Sequence, residues 1–324
     1  MTSSIIACIV KQIDMRLLIF LSSFILGLQI QAQKTETISI QLPDGHLEGT
    51  LIVADTTKQT PVVLIIPGSG PTDRNGNNPM AKSNNLKMLA DSLAKHHISS
   101  LRIDKRGIGK SRIDHFNEAN LSFDDFVNDA ILWIKKLKND KRFSKVIIAG
   151  HSQGALVGLL AACKTNPDAY ISLAGTGYKI GHVIKKQLSQ ALPSIKKNAY
   201  QIIDSLEAGR QVQKVPGLLF ALFRPSVQPF LISWMAYDPS EIISRCHLPA
   251  LIVQGTTDLQ VSEDNAIKLK EAQPKAKLVI INGMNHILKQ APDDRQKNLA
   301  TYNQKDLPLH PELVSKIVAF INEL

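Results

Sequence analysis

The chain has 324 residues, 44% of them hydrophobic and 20% charged, the make-up of a globular protein able to bury a core without a metal or a disulfide framework. Its formal charge of +10 comes from short, scattered lysine clusters such as Lys135, Lys136, Lys138 and Lys141, and Lys185, Lys186, Lys196 and Lys197. Clusters of that kind read as solvated helix faces, and with no nucleic-acid motif beside them nucleic acid is not an expected partner.

Residues 1–32 read as a signal peptide. Lys11 and Arg16 precede an apolar run from Leu17 to Ile30, and the small residue Ala32 follows. The run is short of the roughly 20 residues that a membrane span needs. An uncleaved anchor is the alternative, and Met15 offers a second start directly before Arg16. The mature chain is expected in the periplasm or outside the cell, without stable membrane insertion once the leader is removed. Cys8 falls in the leader. Cys163 and Cys246 could pair in an oxidising compartment, although Cys163 closes an apolar helical stretch and reads as a plain buried residue.

Two alternating runs, Thr37 to Leu42 and Leu47 to Val53, flank the turn signal Pro43-Asp44-Gly45 and predict a hairpin. Pro61 then opens Val62-Val63-Leu64-Ile65-Ile66, wholly apolar and so a strand covered on both faces. Similar runs recur at Ile98 to Ile103, Val146 to Ala149, Leu251 to Val253 and Leu278 to Ile281, with a weaker one at Ala169 to Ala174. Between them the apolar spacing is helical: Leu86, Leu89, Ala90, Leu93 and Ala94; then Phe123, Phe126, Val127, Ala130, Ile131, Ile134 and Leu137, opened by a Ser122/Asp125 capping box. A last helix carries Leu313, Val314, Ile317, Val318 and Ile321, with Pro311 in its first turn. This alternation predicts an α/β fold with a mostly parallel central sheet, an N-terminal antiparallel hairpin and helices on both faces. It breaks at 181–247, a stretch too long for a loop, which reads as a helical cap inserted into a core made of 33–180 and 248–324. A cap over the strand ends would cover the edge where open α/β sheets bind ligands.

Gly150-His151-Ser152-Gln153-Gly154 sits between the strand Val146 to Ala149 and a helix beginning near Gln153. This is G-x-S-x-G in the strand–turn–helix setting that exposes a strained nucleophilic serine. A serine hydroxyl needs a base to take its proton, and the base needs a carboxylate to orient it. His286 follows the last strand on a short loop. Its competitors are His310, which reads as a surface residue at a helix start, and His96 and His97, at a helix end before the catalytic strands. Asp258 lies just past the strand Leu251 to Val253. Glu263 and Asp264 read as dipole-complementing residues of a helix start, and Asp238 falls in the cap. Ser152 is therefore the expected nucleophile, His286 the base and Asp258 the orienting carboxylate. The oxyanion donors are expected to be the backbone N–H groups of Gln153 and of Ser69, with Gly70 close behind, in the loop Pro67-Gly68-Ser69-Gly70-Pro71.

Gly107-Ile108-Gly109-Lys110-Ser111 ends like a phosphate-binding loop, but Asp104 stands where the first glycine belongs and no clear helix follows, which excludes nucleotide binding. Asp104 and Arg106 are expected to pair and brace the loops. No zinc-ligand spacing occurs, so neither metal nor cofactor is expected.

The segment Ile66-Pro67-Gly68-Ser69-Gly70-Pro71-Thr72-Asp73-Arg74-Asn75-Gly76-Asn77-Asn78, the segment from Leu101 to Ser111 and the elbow at Ser152 together resemble the α/β-hydrolase superfamily, and within it certain bacterial secreted serine esterases. The likeness runs from about Thr37 to Leu324 and is weakest in the cap. It implies hydrolysis of small or short-acyl carboxylic esters through an acyl-enzyme, with Ser152, Asp258 and His286 as the triad. The position of Asn75 is often acidic in that group, and Asp73 and Arg74 are expected to form a loop-bracing ion pair, with direct substrate contact as the alternative. A serine exopeptidase or thioesterase of the same fold is the alternative within enzymes. An exopeptidase would need acids to hold a substrate amine, and the cap offers few, such as Asp204, Glu207 and Glu241. A non-catalytic binding protein is the alternative of another class, and fold alone does not exclude it. The apolar cap residues Leu218, Leu219, Phe220, Phe223, Phe230 and Trp234 are expected in an acyl pocket or in the core of the cap.

Overall fold

A computed structural model describes residues 33–324; the leader reading, with Cys8, lies outside the described residues. The hairpin forms as β1 (Lys34–Leu42) and β2 (Gly45–Val53), antiparallel. β3 (Thr60–Ile66), β4 (Ser99–Ile103), β6 (Phe143–His151), β7 (Ala169–Leu173), β8 (Ala250–Gly255) and β9 (Lys277–Ile281) follow, and a two-residue strand, β5 (Arg112–Ile113), pairs with β2. The sheet order is β1-β2-β4-β3-β6-β7-β8-β9. β2 meets β4 antiparallel, and every pairing from β4 through β9 is parallel. The C-terminal ends of β3, β6, β8 and β9 therefore share one edge.

Because side chains alternate along a strand, each wholly apolar strand feeds two cores. Val62, Leu64 and Ile66 pack with α2 (Phe123–Lys138) and α3 (Gln153–Thr165). Val63 and Ile65 pack on the other face with α1 (Asn85–Ala94) and the last helix, whose inward residues are Leu313, Ile317, Phe320 and Ile321. Asp125 accepts from the Ser122 N–H at 2.8 Å and closes the start of α2 as its spacing predicts.

Between β7 and β8 the chain leaves the sheet for α4 (Ile180–Gln187), α5 (Pro193–Glu207), α6 (Phe220–Phe223), α7 (Gln228–Met235) and α8 (Pro239–Ser244). These helices share an apolar core with α2. Phe123 stacks on Trp234 at 5.5 Å between ring centroids and also meets Phe230 and Tyr237. The irregular stretch before α6 is pinned by the buried Gln228 amide, which accepts from the Val212 N–H and donates to the Val212 and Phe223 carbonyls.

Two expectations are corrected. Cys163 is not a plain buried residue: it is exposed at the end of α3 and bonded to Cys246, which is buried. The disulfide closes 83 residues that include the five helices between β7 and β8. His310 is not a surface residue either. It is buried at the N-cap of the last helix, α11 (Pro311–Asn322), where its Nδ1 accepts from the Glu312 N–H. α9 (Glu263–Ala272) and α10 (Arg295–Ala300) complete the helices.

Candidate active site

β6 ends at His151 and α3 begins at Gln153, so Ser152 alone makes the turn, with φ 54° and ψ −120°. A positive φ is strained for a side chain with a Cβ, and such strain persists only where its surroundings enforce it. Here the Ser152 N–H donates to the Leu173 carbonyl and the Ser152 carbonyl accepts from the Ala155 N–H, both at 2.9 Å. The flanking glycines are steric necessities. A Cβ on Gly150 would stand 2.1 Å from the Gly154 oxygen, and one on Gly154 would stand 2.4 Å from the Ile66 oxygen.

Asp258 and His286 come from the ends of β8 and β9. His286 Nδ1 lies 2.8 Å from Asp258 Oδ2, and both side chains are shielded from solvent. The carboxylate also accepts from the Gln254 amide at 2.9 Å and from the N–H groups of Gln260 and Val261 at 2.7 and 2.9 Å. Burial alone would raise its pKa; the His286 imidazole and these donors outweigh burial and hold it below the usual carboxylate range. It thus stays ionised and keeps the proton of His286 on Nδ1, leaving Nε2 as the free acceptor. Gly255 lets the β9 loop cross, since a Cβ there would stand 1.8 Å from the Met284 oxygen.

The loop after β3 brings Ser69 beside Ser152. Among the described residues, neither the Ser69 nor the Gln153 N–H is used in a backbone hydrogen bond. The loop is held from below by Lys105, whose buried Nζ donates to the Gly68 and Gly70 carbonyls at 2.5 and 2.6 Å and lies over the Phe126 ring.

The expected ion pairs are redistributed. Asp104 does not pair with Arg106 but with Arg74, through Nε at 2.9 Å and Nη2 at 2.6 Å, and Arg74 also reaches Glu48. Arg106 instead binds Asp129 on α2 at two oxygens. Asp73 does not meet Arg74; it caps its own turn by accepting from the Asn75 and Asn77 N–H groups. Asn75 accepts from the Arg102 guanidinium. Two other competitors for catalysis have other work: Asp238 caps α8, and Asp264 pairs with Lys186.

Two pockets meet at Ser152. One, of about 110 Å³, is lined by Thr72, Asn78, Ser83, Asn85, Gln260 and Tyr302 together with Ser69, His151, Ser152 and His286. The other, of about 290 Å³, is lined by Ser152, Gln153 and Ser69 on the sheet side, and by Val183, Phe223, Phe230, Leu231 and Trp234 from the inserted helices. Among the described residues, neither pocket has an Asp, Glu, Lys or Arg in its lining.

Solved structures with the same fold include the esterase Est1E from Butyrivibrio proteoclasticus, in a complex with ferulic acid (TM-score 0.60, 18% identity, covering 87% of this chain and 98% of that one). Another is the esterase Pf2001 from Pyrococcus furiosus (TM-score 0.58, 15% identity, covering 90% and 92%). The chain has the α/β-hydrolase fold. In sequence, the α/β-hydrolase family described as serine aminopeptidase, S33, matches residues 80–228, less than half of the chain. That segment contains Ser152 and stops short of Asp258 and His286. Esterase EstD from Thermotoga maritima is 26% identical over 278 residues, or 80% of this chain, and the match spans 64% of that relative's length.

Three residues that support the candidate set were missed by sequence reasoning. His151 Nε2 bonds the His286 carbonyl at 2.7 Å, Gln254 holds Asp258, and Lys105 holds the Ser69 loop. His151 and Lys105 lie inside motifs that were legible. Gln254, a polar residue in an apolar strand one position before the glycine that ends it, was the only outward signal of its role.

Proposed function

We propose that the protein is a serine carboxylic-ester hydrolase that turns over small neutral esters through an acyl-enzyme. The observation that carries this is the ionised, four-times hydrogen-bonded Asp258 fixing His286, which faces the same pocket as the strained Ser152. His286 takes the hydroxyl proton as Ser152 Oγ attacks the ester carbonyl. The N–H groups of Gln153 and Ser69 stabilise the oxyanion. His286 returns the proton to the leaving alkoxide, then activates water to release the acid and regenerate Ser152.

A serine aminopeptidase is favoured only by the description of the family that matches 80–228. Such an enzyme must hold a substrate ammonium, and among the described residues no carboxylate lines either pocket at Ser152. Asp204 and Glu207 bind Lys185 within the inserted helices, and Glu241 is exposed. Export from the cytosol is part of the same proposal: the leader-like start and a disulfide both suit an oxidising compartment.

The test is turnover of p-nitrophenyl esters against aminoacyl-p-nitroanilides. Ester hydrolysis is expected, with Ser152→Ala slower by about 10⁴-fold or more. Retained ester turnover in that variant, or faster cleavage of the anilides, would overturn the assignment.

A further inference from the structure

Building on the ester-hydrolase reading, we infer that the two pockets at Ser152 divide the substrate between them: the apolar one takes the acyl chain and the amide- and hydroxyl-lined one takes a small polyhydroxylated alcohol such as glycerol. Direction follows from proton transfer. The C–O bond of the tetrahedral intermediate breaks only as its alkoxide oxygen receives the proton held on His286 Nε2. The leaving alcohol therefore lies on the His286 side of Ser152. His286 lines the 110 Å³ pocket and is absent from the 290 Å³ one, while Gln153 lines the 290 Å³ pocket and is absent from the 110 Å³ one.

The chemistry of each lining then names its occupant. On the His286 side stand two hydroxyls already used inside the loop, Thr72 bonded to the Ser69 carbonyl and Ser83 to the Gly76 carbonyl. The same lining holds Tyr302 and Gln260, the latter also bordering the larger pocket, and the Gln260 Nε2 donates to the Tyr302 oxygen at 3.3 Å. That bond leaves the Tyr302 O–H to donate and the Gln260 amide oxygen to accept. An alkyl alcohol would desolvate these groups without replacing their hydrogen bonds, whereas vicinal hydroxyls offer a donor and an acceptor together. The small volume and the lack of any charged side chain exclude a phosphorylated or cationic headgroup from close contact. On the other side Val183, Phe223, Phe230, Leu231 and Trp234 make a largely apolar wall, with Thr176, Gln187 and Gln260 as the polar residues beside it, suited to a short- to medium-chain acyl group.

The experiment compares kcat/KM for glyceryl monohexanoate and ethyl hexanoate, which share the acid, and for ethyl esters from acetate to octanoate. The wild-type protein is expected to favour the glyceryl ester by about tenfold. Activity should also rise by up to about fourfold per added methylene until the apolar pocket is filled. Tyr302→Phe should lower the glyceryl-to-ethyl ratio by threefold or more without moving the chain-length optimum. Leu231→Trp should shift that optimum towards acetate without moving the ratio. A wild-type ratio within twofold of one, or a Tyr302→Phe variant that keeps the ratio, overturns the inference while the esterase reading stands. If no ester is turned over and Ser152 is not labelled by an organophosphonate, the esterase reading fails and this inference with it.

Discussion

At His151, the residue before the elbow serine, the structure sets a titration. Its imidazole is buried, with Nε2 donating to the His286 carbonyl and the two rings 5.0 Å apart. Burial first, and the neighbouring His286 second, push its pKa down from 6.5 to about 4. The unfolded chain therefore binds a proton between pH 6.5 and pH 4 that the folded one refuses. Stability is full above pH 6.5 and falls through that window, by on the order of 3 kcal/mol. Urea unfolding midpoints at pH 7, 5.5 and 4.5 should show the loss, and His151→Gln, which keeps a donor for the His286 carbonyl, should flatten it. An unchanged slope in that variant would place the titration elsewhere. Single residues were legible where their reason was local: the glycines at 150 and 154 are demanded by one tight turn. Arg74 and Asp104 were misread, because their partners are chosen by where loops cross in three dimensions and not by nearness along the chain.

Strands and helices were legible because each face of each element carries its own apolar period, and the parallel sheet followed from their alternation. That alternation also placed Ser152, Asp258 and His286 at the ends of parallel strands, and so on one edge. β5, only two residues long, carries no period to read. The disulfide was left open since spacing cannot say that the end of α3 meets the segment just before β8. By linking these points across 83 residues it restricts the unfolded chain, a contribution of about 2–5 kcal/mol. Cys246→Ala is expected to lower the Tm by several degrees and to unsettle the helices between β7 and β8 before the sheet. Hydrogen exchange should show faster exchange in α4 to α8 than in β3 or β6. A uniform change across both would mean that the bond does not act on those helices in particular.

At the scale of the whole molecule, the two halves of the sheet core are joined through the site. The elbow comes from the first half, the carboxylate and imidazole from the second, and the inserted helices between them wall the apolar pocket. Labelling of the full chain by a fluorophosphonate, with the adduct mapped by peptide mass spectrometry, tests this convergence most directly. One adduct at Ser152 is expected in the wild-type protein, formed much more slowly in His286→Ala. A folded protein that resists the reagent, carries the adduct on another residue, or reacts as fast without the imidazole would contradict the account.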